Sequence, residues 1–118
     1  MSVPYAAGGL YSTVLDLNVW QEALYTEQLA PATDIARYFT PLVATTELTD
    51  FGYAYGQFVG EDDGSTLIVH DGGINGFASF MARYPDDHIT VVLLTNRETS
   101  PPLDRLGVTA ARFAREAP

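Results

Sequence analysis

A histidine, an aspartate and three glycines fall within seven residues, "HDGGING", His70 to Gly76, and His70 is one of only two histidines in the chain. A neutral imidazole beside a carboxylate is a donor set that suits zinc and similar divalent ions. His70 and Asp71, with His88 from elsewhere in the chain, are the residues that would hold such an ion. A metal held there activates water and needs no side-chain nucleophile, which would give a hydrolase of activated esters or phosphoesters. The plainer reading of His70 is a strand-end histidine whose ring bonds to the backbone. Gly72, Gly73 and Gly76 read most simply as turn residues that supply positive φ. Tyr53, Tyr55, Phe77 and Phe80 are candidates for the wall of a substrate pocket, against the commoner use of strand aromatics in packing. Arg83 and Arg97 offer cations to a carboxylate or phosphate, against ordinary surface pairing. Asp62, Asp63, Asp86 and Asp87 have no EF-hand spacing and read as solvated hairpin turns.

The elements that must position these residues are legible from periodicity. "TVLDLNVWQEAL" predicts a helix with Val14, Leu17, Trp20 and Leu24 on one face. Thr13 stands as its N-cap, with Asp16 three residues on. Pro31 and Pro41 bound a connector that holds one short helix near residues 33–39. From residue 51 the period changes to that of strands. "FGYAYGQFVG" reads as one glycine-punctuated strand, "TLIVH" as a second, "FASFMARY" as a third and "ITVVLLTN" as a fourth, apolar enough to be buried on both faces. "EDDGS" and "PDDH" are tight turns. "HDGGING" is expected to be the loop at the other end of the sheet. After "RETSPP" a terminal helix runs from Leu103 to Glu116, with Leu103, Leu106, Ala110 and Phe113 along one side. Asp104 near its start and Arg112 and Arg115 near its end suit the helix dipole.

The expected fold is α+β, a four-stranded antiparallel meander flanked by an N-terminal and a C-terminal helix, forming a single domain over residues 1–118. In that order of strands both acidic turns share one end of the sheet. His70 and His88 are then expected at opposite ends, so a metal site using both needs two copies of the chain.

Composition narrows the classes of function. The chain is 47% hydrophobic and can bury a core. With no cysteine, thiolate zinc and iron–sulfur sites are excluded. The net charge is −9 and all six basic residues are arginine, which argues against nucleic acid and against anionic membrane surfaces. The longest apolar run is strand-sized, well short of the roughly 20 residues a membrane helix needs. "MSVPYAAGG" lacks the basic and apolar regions of a signal peptide, and the chain is expected to be soluble.

Three stretches together resemble the serine β-lactamase, penicillin-binding protein and class C-like esterase family. "AAGGLYSTVLDLNVW" is similar to the family's glycine-rich segment and the helix after it. "FGYAYG" is similar to its Tyr-Gly-Tyr-Gly strand. "VHDGGINGFASFMARYPDDHITVVLLTN" resembles its third active-site motif, the two strands that follow and a terminal Thr-Asn. The resemblance implies that His70, Asp71 and Gly72 stand where the family has Lys-Thr-Gly or His-x-Gly, at the edge of the catalytic cleft. His70 would orient substrate or polarise the proton network. The N–H of Gly73 would supply one half of an oxyanion hole, a contribution of about 2.7–4 kcal/mol. Tyr53, Tyr55, Gly72, Asn75 and Phe77 would contact a small-molecule substrate, an ester or an amide such as a β-lactam.

The departure from the family is chemical. Its nucleophile lies in a Ser-x-x-Lys motif, and these residues contain no lysine. No Tyr-x-Asn or Tyr-x-Ser element is evident either, since "YST" belongs to the glycine-rich block. Three functions stay open: a cleft-forming piece of a serine hydrolase, a metal-dependent hydrolase with its site between subunits, or a non-catalytic remnant that self-associates. The resemblance also implies that apolar surface, which the family covers with its serine-bearing helix, is covered here by a second copy, most simply in a symmetric dimer.

Overall fold

A computed structural model describes residues 6–97 and 102–117 of the chain. Most of the "RETSPP" connection and the first five residues lie outside the described residues. The order is α1 (Val14–Ala23), α2 (Ala32–Tyr38), β1 (Val43–Ala44), β2 (Gly52–Tyr53), β3 (Phe58–Asp62), β4 (Ser65–Ile74), β5 (Phe77–Tyr84), β6 (Ile89–Thr95) and α3 (Leu103–Glu116). Every strand pairs antiparallel with the next, giving one sheet in the order β1-β2-β3-β4-β5-β6. The class is α+β as expected, with six strands rather than four.

Two features account for the extra strands. The stretch expected as one strand over 51–60 is broken at Ala54–Gln57, where Ala54 N–H donates to the Gln57 carbonyl at 2.8 Å and Gly56 takes φ 77°. The chain therefore folds back as β2 and β3. Residues 43–44 then add a short sixth strand against β2. The Asp63–Gly64 hairpin behaves as its chemistry dictates, with both residues at positive φ, 54° and 81°.

The "HDGGING" segment is not a loop. β4 continues through His70, Asp71, Gly72 and Gly73 to Ile74, and only Asn75 and Gly76 form the turn, with Gly76 at φ 85°. Glycine weakens a strand by its entropy, but continuous pairing with β5 overrides that preference. His70 accordingly sits mid-strand opposite Met81, not at a sheet end. The acidic turns do share one end, where Thr66 N–H donates to Asp86 Oδ2 at 2.9 Å.

One face of the sheet carries the core: Phe58, Leu67, Val69, Phe80, Ala82 and Tyr84, with Ala111 of α3 against them. α3 comes close because Gly107 has no side chain; a Cβ there would collide with the Phe80 ring. The buried stripe of α3 is Gly107 and Ala111, with Leu103 partly buried beside them, whereas Leu106 is 50% exposed and Phe113 70% exposed. The expected apolar side was one flank too far round the helix. The Arg112 and Arg115 side chains do more than complement the dipole. Arg112 meets Asp62 at 2.7 Å and Arg115 meets Asp87 at 2.7 Å, so the acidic turns clamp the end of α3. Tyr84 donates to the same Asp62 at 3.1 Å, and burial, with Asp62 beside it, pushes the phenol up to about 12.

α1 covers the opposite face near β6. Thr13 caps it as expected, accepting from Asp16 N–H at 3.1 Å. Leu24 is buried, but Val14 and Trp20 are exposed, and Gln21 takes a buried position instead. Arg83 is buried too, with its guanidinium 3.6 Å from the Tyr25 ring centre and 4.9 Å from that of Phe39. It is a packed cation rather than a surface one. Among the described residues no helix is long and apolar enough to cross a membrane.

Candidate active-site strand

β4 outruns β3. The β3–β4 ladder ends at Phe58↔Val69, whereas the β4–β5 ladder continues to Ile74↔Phe77. Among the described residues, 70–74 therefore have a neighbouring strand on one side only. Strand alternation decides which backbone groups this leaves open. The Asn75–Gly76 hairpin closes on Ile74↔Phe77, so even-numbered residues of β4 bond to β5. The Asp63–Gly64 hairpin closes on Asp62↔Ser65, so odd-numbered residues bond to β3. Both hairpins give the same parity. Past Val69, Asp71 and Gly73 turn their N–H and C=O towards the open edge.

His70 stands where β3 stops. Its ring stacks on Phe58 at 5.6 Å and 28°. Nδ1 lies 2.6 Å from the carbonyl oxygen of Asp71, which can only accept, so Nδ1 carries the proton. Nε2 lies 3.2 Å from the Tyr53 hydroxyl. In the neutral ring that nitrogen accepts, and the Tyr53 O–H donates to it. The backbone bond of the plainer sequence reading is thus present, together with a tyrosine partner that sequence order alone did not pair with His70. The bond also occupies one of the two edge carbonyls, leaving the backbone of Gly73 as the open pair.

The two glycines differ. A Cβ on Gly72 would come within 2.8 Å of Ser79 Oγ, so packing across β5 favours glycine there. A Cβ on Gly73 would meet nothing within 4 Å, and Gly73 is not among the positive-φ glycines. Neither packing nor backbone geometry requires glycine at 73. Its bare Cα keeps the space over the open edge clear.

Of the other candidates, Asn75 and Phe77 lie at the hairpin that ends this edge, both exposed. Tyr53 reaches His70, but Tyr55 does not follow it. The turn at 54–57 carries Tyr55 to α2, where it stacks on Tyr38 at 6.3 Å and 14°. His88 lies in the β5–β6 turn with Nε2 3.2 Å from Glu22 Oε2 and its ring against Tyr25, apart from His70. Among the described residues no three His, Asp or Glu side chains gather in a metal-binding group. Phe80 belongs to the core. On the α3 face a cavity of about 630 Å³ opens beside the strand, lined by Phe58, Leu67, Val69 and Phe80 and also by His70 and Asp71.

The sequence model of the family described as "Beta-lactamase" matches residues 1–116. The chain belongs to the β-lactamase family. Penicillin-binding protein 4* of Bacillus subtilis (strain 168) is 26% identical to it over 92 residues, which are 77% of this chain and 20% of that protein. A penicillin binding protein from Bacillus halodurans has a similar fold, with TM-score 0.70 and 26% identity over 86% of this chain and 30% of its own. This β-lactamase-family chain thus spans a fifth to under a third of the relatives it matches.

Proposed function

We propose that this chain forms the substrate-binding edge of a serine acyl-transfer site that accepts the carbonyl of a β-lactam or a related amide or ester. The observation that carries the reading is Gly73, where a backbone N–H and C=O with no strand partner among the described residues coincide with a glycine that packing among those residues does not require. An extended substrate lies along such an edge as an added strand does, with main-chain bonds setting its register. Gly73 N–H donates to the carbonyl oxygen as negative charge develops on it. His70, fixed by Asp71 O and Tyr53 Oη, presents its imidazole beside that position. Asn75 and Phe77 contact the substrate where the edge ends. Membership of the β-lactamase family and the penicillin-binding names of the relatives support the substrate class.

Acyl transfer also needs a nucleophile and its base. With no lysine in these residues, a Ser-x-x-Lys element has to come from elsewhere in the polypeptide or from a partner chain. The test is two-armed. Adding a penicillin to the isotopically labelled chain is expected to shift the amide resonances of Asp71 to Asn75, with Gly73 moving most, and no covalent adduct is expected by mass spectrometry. A stoichiometric adduct on any residue of this chain, or amides of the 71–75 edge that do not move at millimolar ligand, overturns the reading.

A further inference from the structure

We propose that Asn75–Gly76 is a site of spontaneous deamidation, which converts the hairpin at the end of β4 into an acidic, lengthened form. The reaction is intramolecular and needs only water. The backbone nitrogen of Gly76 attacks Cγ of Asn75, the Cγ–Nδ2 bond breaks, and the Gly76 amide proton leaves with Nδ2 as ammonia. Water then opens the cyclic imide at either carbonyl. Opening at Cγ leaves an aspartate at position 75. Opening at the backbone carbonyl leaves an isoaspartate, whose main chain runs through the side chain.

The chain contains three asparagines, and their surroundings single out one. All three are exposed, so exposure does not decide between them. The nitrogen that must attack does. After Asn18 it belongs to Val19 in the middle of α1, where the helical ladder holds it and a β-branched side chain crowds it. After Asn96 it belongs to Arg97, whose N–H donates to Thr95 Oγ1 at 3.2 Å. After Asn75 it belongs to Gly76, which lies outside the β4–β5 ladder and makes no turn hydrogen bond through its N–H among the described residues. Gly76 takes φ 85°, and a Cβ on it would meet nothing within 4 Å. The glycine that the turn demands is thus also the residue that leaves this nitrogen bare.

The product changes the neighbouring strand edge, and the consequence for substrate rests on the reading of Gly73 as the substrate-binding group. Ile74↔Phe77 is the pair that the turn closes, and Gly73↔Ala78 is the next. Isoaspartate adds a methylene to the main chain of that turn, so the Ile74↔Phe77 hydrogen bonds cannot both be kept. Either product places a carboxylate two residues, about 7 Å of strand, from Gly73. That charge opposes the negative charge that develops on a carbonyl oxygen held by the Gly73 N–H. The edge binds in the fresh chain and fails with age.

The purified chain, held in warm neutral buffer, is expected to gain one mass unit in the peptide that carries Asn75 and none in those that carry Asn18 and Asn96. An isoaspartyl methyltransferase should label the product. Hydrogen exchange should show the Ile74 and Phe77 amides protected in the fresh chain and open in the aged one, a readout that needs no ligand. The penicillin-induced shift of the Gly73 amide should fall in proportion to the converted fraction. Asn75→Gln lengthens the side chain past the favoured ring, so this variant should keep its mass, and any penicillin shift it starts with, over the same incubation. Peptide mapping of the wild-type chain gives the answer even if that variant does not fold. A chain that gains no mass at 75, that gains it as fast at 18 or 96, that ages equally as Asn75→Gln, or that keeps its Ile74 and Phe77 protection after conversion overturns the proposal. A fresh chain that shows no penicillin shift, but whose hairpin converts and loosens, overturns the substrate reading of Gly73 and upholds the modification.

Discussion

Gly73 is where fold and function separate most cleanly. The position is exposed, its backbone is ordinary for a strand, and no atom of the described residues lies where a Cβ would go. Gly73→Ala therefore costs the fold nothing. By narrowing the unfolded ensemble it should leave stability unchanged or raise it by up to about 1 kcal/mol in urea titration. The same methyl group projects into the space over the edge and should abolish the penicillin-induced amide shifts. A variant that loses stability, or one that keeps the shifts, would show that glycine at 73 serves packing instead. Tyr53 tests the other side of the site. Tyr53→Phe removes the partner of His70 Nε2 and should cost about 0.5–1.5 kcal/mol, with the His70 ring resonances moving far more than those of His88. The contribution of His70 itself was only half readable. Its bond to a backbone carbonyl is local and follows from residue type. Its bond to Tyr53 spans 17 residues and depends on the register of β2, β3 and β4 together. Tyr53 and Tyr55 look equivalent by alternation, and only the turn between them separates their fates.

At the scale of elements, the sequence is read best where local chemistry and tertiary pairing agree. The Thr13 cap, the Asp63–Gly64 hairpin, β5, β6 and α3 all fall where composition put them. It is read worst where pairing overrules local preference, as in the second half of β4, whose glycines read as a loop until β5 is placed beside them. The stripe of α3 was missed for a related reason. Helical periodicity favours Leu106 and Phe113, yet the side that docks is the one whose smallest residue lets the helix approach Phe80. Gly107→Ala tests that account. Alanine should stabilise an isolated helix by about 1 kcal/mol. Here its methyl meets the Phe80 ring, so the variant should instead lose about 1–3 kcal/mol in urea unfolding. The clamp on the far end of α3 has a pH signature. Tyr84 holds its proton up to about 12 in the folded chain, against an ordinary value of 10.0. Between those values the folded state binds the extra proton and the unfolded state does not. The stabilisation is complete below about pH 10 and is lost as pH rises through 12, at roughly 1.4 kcal/mol per unit. Alkaline urea titrations should show this fall, and Tyr84→Phe should flatten it.

For the molecule as a whole, charge governs how firmly the fold holds. A net −9 is carried on a body only 38 × 34 × 30 Å across. At about 0.01 M salt the Debye length is roughly 30 Å, comparable with that body, so the carboxylates repel one another across the whole fold. At about 0.15 M it falls to roughly 8 Å, and only near neighbours are sensed, such as Arg112 with Asp62 and Arg115 with Asp87. Exposed pairs contribute about 0–1 kcal/mol each, less than the whole-body repulsion they oppose at low salt. Stability should therefore rise as salt goes from about 0.01 to about 0.15 M, and urea titrations across that range check this. A chain that loses stability with salt would mean that the ion pairs at the end of α3 outweigh the net repulsion.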